Sequence, residues 1–143
     1  MDKQAQIERA ACFRALHDRR QVLLLPNAWD AASACVFADL GFAAIATTSG
    51  GVAWSLGYPD GEQAPWAEVV AATRRIVRAT TLPVSADIEA GYGQAPEAVG
   101  TSVRALIEAG VAGINLEDGV QHRSLRDVDD AARRIAAART AAQ

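Results

Sequence analysis

Gly41-Phe42-Ala43-Ala44-Ile45-Ala46 and Gly110-Val111-Ala112-Gly113-Ile114-Asn115 are two versions of one joint, set 69 residues apart. In each, a glycine stops a helix, an apolar residue docks, two small residues pass and an isoleucine packs inward as a strand begins. Around these joints strand and helix patterns alternate four times. The expected strands are Val22-Leu23-Leu24-Leu25, closed by Pro26; Ala43 to Ala46; Leu82 to Ala86; and Gly113 to Leu116. They are continuous apolar runs with no wet face, the mark of parallel strands joined by right-handed crossovers. The spacing predicts a polar-faced helix over 3–18 and others starting at Ala31, Pro65, Pro96 and Asp127. In the helix after Pro65, Trp66, Val69, Val70, Thr73, Ile76 and Val77 share one face; in the next, Val99, Val103, Leu106 and Ile107 form the stripe. Ser49 to Gly61 reads as a long Gly-rich loop. The result is one α/β domain over residues 1–143, four parallel β/α units behind an N-terminal helix; an open doubly wound sheet and part of a barrel both satisfy it.

Composition narrows the function. At 143 residues, 50% hydrophobic and 22% charged, the chain can bury a core. A net charge of −3 provides no cationic field for nucleic acid or an anionic membrane, so neither is expected as a partner. Cys12 and Cys35 lack metal-ligand spacing and suit a reducing compartment; with His17 they are expected to be structural, as the three tryptophans are expected to be packing groups. The first residues do not read as a signal peptide, and no apolar run reaches membrane-spanning length, so a cytoplasmic protein is expected.

In parallel α/β folds ligands bind beyond the carboxyl ends of the strands. Asp87 and Glu89 lie two apart at one such end, where strand alternation points both to the same side, and Glu117 arrives from the next strand. Three oxygen ligands without neighbouring His or Cys suit a hard cation, Mg2+ or Mn2+. Ser49-Gly50-Gly51 offers a hydroxyl and backbone N–H groups for a carboxylate or phosphonate. The turn Tyr58-Pro59-Asp60-Gly61-Glu62 presents Asp60 toward the same mouth, and His122 is a candidate acid or base. Plainer readings stand beside these: a solvated loop for Asp87 and Glu89, a tight turn for Ser49 to Gly51, an exposed His122, and a helix N-cap for Asp30.

Five ordered blocks carry a resemblance. They are Leu23-Leu24-Leu25-Pro26-Asn27-Ala28-Trp29-Asp30, Ala46-Thr47-Thr48-Ser49-Gly50-Gly51-Val52-Ala53, Gly57-Tyr58-Pro59-Asp60-Gly61, Ser85-Ala86-Asp87-Ile88-Glu89-Ala90-Gly91-Tyr92-Gly93 and Gly113-Ile114-Asn115-Leu116-Glu117-Asp118. Together they resemble the isocitrate lyase and phosphoenolpyruvate mutase superfamily, especially its uncharacterised bacterial members. The resemblance implies a (β/α)8 barrel in which Mg2+ or Mn2+ and an anion-binding loop stabilise the enolate of a small 2-oxo acid. It places the substrate carboxylate at Ser49, Gly50 and Gly51, and the metal among Asp60, Asp87, Glu89 and Glu117; Glu89 replaces an aspartate common in the family.

Two departures shape the expectation. The lyases carry a lysine-rich loop with a catalytic cysteine after the fourth strand, and the mutases a gating asparagine; Asp118 to Arg126 has none of these. A full barrel needs about 250 residues, so the chain holds four of eight units, the N-terminal half. Its outer strands are then open edges, and a homo-oligomer pairing them is expected. The leading expectation is a Mg2+-dependent lyase or phosphonomutase acting on a small 2-oxo or 2-hydroxy carboxylic acid. A catalytically silent half-barrel that keeps metal or anion binding is the first alternative. A phosphoryl-receiver module is the second, opposed by Lys3 being the only lysine.

Overall fold

Both joints close as the same hydrogen-bonded cap. Gly41 donates to Ala38 O and Phe42 to Phe37 O; Gly110 donates to Ile107 O and Val111 to Leu106 O. The two glycines have φ of +84° and +99°, the left-handed conformation that a Schellman ending requires and that glycine adopts without a steric penalty.

The structure, a computed structural model, describes residues 3–18, 20–120 and 124–143. Its elements are α1 (Lys3–Leu16), β1 (Asn27–Ala28), α2 (Ala31–Asp39), β2 (Ile45–Thr47), α3 (Ser49–Ser55), α4 (Trp66–Ala79), β3 (Val84–Asp87), α5 (Pro96–Ala109), β4 (Gly113–Asn115), β5 (Gly119–Val120), β6 (Ser124–Leu125) and α6 (Val128–Ala141). The first four strands form one parallel sheet in the order β1-β2-β3-β4. These are four successive β/α units of a TIM-type barrel, preceded by a helix. Among the described residues no helix is long and apolar enough to cross a membrane.

The core lies between this sheet and its helices. Val69, Val70, Thr73, Ile76 and Val77 of α4 and Val99, Val103 and Leu106 of α5 are buried as their spacing predicts, each large side chain contributing about 1.5–3 kcal/mol. α4 packs on α2 and α5, and α5 on α6. α1 buries none of its residues, but Gln6 Nε2 donates to Ile107 O at 2.6 Å. Phe13 fills the space a side chain at Gly113 would need, its Cε1 lying 2.6 Å from that Cβ position.

Two expectations are corrected. Val22 to Leu25 is not the first strand, and Val22 and Leu24 are 89% and 66% exposed. Asn27 is in register with Ala46, so a strand at 22–25 would face the helix joint at 41–44, which offers no ladder. Ser49 to Ser55 is helical, capped by Thr48 and anchored by buried Val52 and Ala53. The polar stretch after β4 contains an antiparallel pair, with Gly119 opposite Leu125 and Val120 opposite Ser124.

Candidate active site at the strand ends

Asp87 closes β3 and joins three strand ends. Its Oδ2 accepts the Ser49 N–H at 3.0 Å, and its Oδ1 accepts from Asn115 Nδ2 at 2.9 Å and the Glu89 N–H at 3.2 Å. Its own N–H donates to Thr47 Oγ1 at 2.9 Å. A carboxylate has about four lone-pair directions, so three acceptances leave capacity for a cation. Asp87 lines an open cleft with Asn27, Asp30, Thr48 and the exposed rings of Trp29 and Trp54.

The Ser-Gly-Gly segment is built for close approach. A Cβ at Gly51 would lie 2.7 Å from Thr48 Cγ2 and 2.9 Å from Trp29 Cβ; one at Gly50 would lie 3.2 Å from Asp60 Oδ2. Asp60 is thereby set against the start of α3. The Ser49 N–H points at Asp87 and that of Gly51 at Thr48 Oγ1. An incoming carboxylate would compete with those oxygens.

Glu89 reaches the site by another route than strand alternation. β3 ends at Asp87, and Glu89 has φ +50°, so its side chain leaves the Asp87 cleft for a neighbouring cavity of about 560 Å3 lined by Asp60, Glu62, Glu117 and Arg126. Tyr92 is left-handed too, at φ +53°. Such residues cost about 1–3 kcal/mol each and persist where their surroundings hold them. Glu62 is one constraint: its N–H donates to Glu89 Oε1 at 2.9 Å and its Oε1 accepts the Tyr92 N–H at 2.6 Å. The Tyr92 hydroxyl donates to Glu89 Oε1 at 3.3 Å, and its ring lies 4.6 Å from that of Trp66.

Glu89 is 4% exposed, and this burial pushes its carboxyl above the usual range; the charges of Asp60 and Glu62 add to the rise, against the Glu62 N–H and the Tyr92 hydroxyl. Burial and the Glu89 charge also raise the Tyr92 phenol. Glu117 is exposed and donates its N–H to Glu89 O at 2.7 Å. Asp87, Glu89 and Glu117 do not converge: among the described residues no three His, Cys, Asp or Glu side chains are grouped closely enough to hold a metal ion. The donor type still fits a hard divalent cation, because the buried Glu89 carboxylate shares its cavity with the carboxylates of Asp60, Glu62 and Glu117, with Arg126 also on the wall.

His122 lies outside the described residues. Asp30 is the N-cap of α2, accepting the Ser33 N–H at 2.7 Å. Cys12 and Cys35 are free and exposed, and Trp54 is 70% exposed, so these are not core groups. Sequence reasoning passed over Glu62, Asn115 and two arginines. Arg126 lines the acidic cavity, with a buried Nε that has no hydrogen-bond partner. Arg134 is 1% exposed on α6. Its signals in the sequence are position, four residues before buried Ala138 on the same face, and Asp130 four residues before it.

The phosphoenolpyruvate phosphomutase family model matches residues 13–143. A Burkholderia cenocepacia J2315 structure, provisionally called a phosphonomutase, superposes with a TM-score of 0.91 at 53% identity, covering 94% of this chain and 55% of that one. The 2,3-dimethylmalate lyase of Eubacterium barkeri is 41% identical over 78% of this chain and 38% of its own. An uncharacterised Mycobacterium tuberculosis protein is 42% identical over 74% of this chain and 40% of its own. The chain thus spans about half the length of the proteins it matches.

Proposed function

The chain belongs to the phosphoenolpyruvate phosphomutase family, within the phosphoenolpyruvate mutase and isocitrate lyase superfamily, and from that premise we propose a Mg2+-dependent lyase or phosphonomutase site for a small 2-oxo or 2-hydroxy carboxylic acid. The observation that carries the reading is the buried Glu89 carboxylate in a cavity with Asp60, Glu62 and Glu117, beside the Asp87 junction. In that cavity Glu89 and Glu117 would hold Mg2+ or Mn2+, and Asp87, in the adjoining cleft, would reach the ion through water. Such an ion supplies Lewis-acid stabilisation of the charge that develops on an enolate oxygen.

The chain's own residues do the rest. Ser49, Gly50 and Gly51 receive the substrate carboxylate, which displaces Asp87 from the Ser49 N–H. Asp60, which sits against Gly50 and lines the acidic cavity, would serve as the group that moves a proton at the reacting carbon or its leaving group. Arg126 offsets the negative charge of the cavity wall. His122 is a second candidate proton carrier.

The sheet favours a further element of the reading. Among the described residues β1 and β4 each have one neighbouring strand, and Val22 and Leu24 stand exposed before β1. Pairing of these edges in a homo-oligomer would cover them. The same edges support a second reading, a silent half-barrel that binds metal and anion without turnover.

The test is Mg2+-dependent release of a 2-oxo acid from substituted malates and citrates, and Mg2+-dependent conversion of phosphonopyruvate into phosphoenolpyruvate, with light scattering on the same sample. Turnover abolished by EDTA is the expected result. Mg2+ binding without turnover of any substrate favours the silent half-barrel; a stable monomer contradicts edge pairing.

A further inference from the structure

Arg134 is the largest fully buried side chain among the described residues, yet it lies on α6, outside the strand ends. A buried cation is tolerated where its donors are matched. Here Nε donates to Asp130 Oδ2 at 2.9 Å, Nη1 to Ala90 O at 3.2 Å and Gly93 O at 3.0 Å, and Nη2 to Gln94 O. Asp130 is itself fixed, its N–H bound by the Asp127 cap and its carboxylate shared with Arg126 and Arg133. Three of the four contacts are carbonyls of the one loop that carries Glu89 away from β3. That loop has left-handed backbone at Glu89, Gly91 and Tyr92, and Glu62 grips it from the cavity side.

We propose that Arg134 is a positioning residue for the site: it holds the carbonyls of Ala90, Gly93 and Gln94 so that the Glu89 carboxylate faces the cavity shared with Asp60, Glu62 and Glu117. The proposal rests on the reading of that cavity as a divalent-cation site. A core-filling role alone would need volume and apolar contact, which methionine supplies. Holding three carbonyls needs a planar fork of donors, which lysine reproduces only in part and methionine not at all.

The test compares the full chain with Arg134→Met and Arg134→Lys by hydrogen exchange and Mn2+ calorimetry. In Arg134→Met, exchange over residues 88–94 rises about tenfold while α4 and β3 keep their protection. Its Mn2+ affinity falls about tenfold or more, and Arg134→Lys recovers part of that loss. A uniform rise in exchange along the chain, an unchanged loop, or equal Mn2+ affinities for the two variants overturns the proposal. If Arg134→Met does not fold, Arg134→Lys decides: a rise confined to the loop supports positioning and a chain-wide rise overturns it. If the unmodified chain binds no Mn2+, the cation reading fails, and loop exchange alone decides whether Arg134 holds Glu89 in place.

Discussion

Asp87 Oδ2 accepts the Ser49 N–H at 3.0 Å, so the carboxylate that ends β3 also fixes the first residue of α3. With Asn115 Nδ2 on the other oxygen, one side chain joins the ends of β2, β3 and β4. In the proposed function a ligand at Asp87 would compete with the same contacts that join these strand ends.

Asp87→Ala removes the acceptor of two donors from other strand ends and costs about 1–3 kcal/mol. A lower urea midpoint together with lost Mn2+ binding is the expected pair of results. Asp87→Asn, which keeps an accepting oxygen, retains more of the stability and still loses the ion. Unchanged stability in Asp87→Ala is incompatible with the junction.

Glu89→Gln separates stability from binding. The folded-state carboxyl of Glu89 is raised, so its contribution to stability is present below the ordinary value of 4.5 and lost as pH rises through the folded value. At neutral pH the neutral amide therefore raises Tm, with about 4 °C for each kcal/mol gained in a chain of this size. Mn2+ affinity falls in the same variant. Calorimetric melting and Mn2+ titration check both, and a lower Tm counts against the desolvated charge.

Gly51→Ala places a methyl within 2.7 Å of Thr48 Cγ2 and 2.9 Å of Trp29 Cβ. Overpacking of this kind costs about 1–3 kcal/mol. Denaturant unfolding should show that loss, and fluorescence of Trp29 should shift with it. A neutral substitution would mean that α3 can move away from β1.

Acid weakens α6 through Asp130. Its carboxyl is held below the ordinary value of 3.8, first by the hydrogen bond from Arg134 and then by the charges of Arg134, Arg126 and Arg133. The depressed group contributes stability above its unfolded pKa and loses it as pH falls through the folded one. Asp130→Asn should flatten the decline in stability below about pH 4. An acid limb identical in both proteins would remove Asp130 from the account.

The four-unit order was legible because glycine caps and helical stripes are local signals: Gly41, Gly110 and the Ile76 and Val99 faces follow from spacing alone. β1 was misplaced because an apolar run does not declare its register. α3 was hidden because Gly50 and Gly51 each cost a helix about 1 kcal/mol, a deficit that the buried Val52 and Ala53 offset. The acidic residues were found by type, but alternation misassigned Glu89, whose left-handed backbone is imposed by contacts distant in sequence. Arg134 was passed over because three of its four partners are carbonyls, which leave no mark in the sequence, and its pairing with Asp130 reads as an ordinary surface i,i+4 pair.

The most direct test of the central claim is a Mn2+ titration of the full chain, followed by electron paramagnetic resonance, with and without oxalate as an enolpyruvate mimic. A shared site predicts that Mn2+ binds and that oxalate tightens it by about 5–150-fold, with the same factor returned on oxalate affinity. Absence of Mn2+ binding, or a Mn2+ affinity indifferent to oxalate, would contradict it.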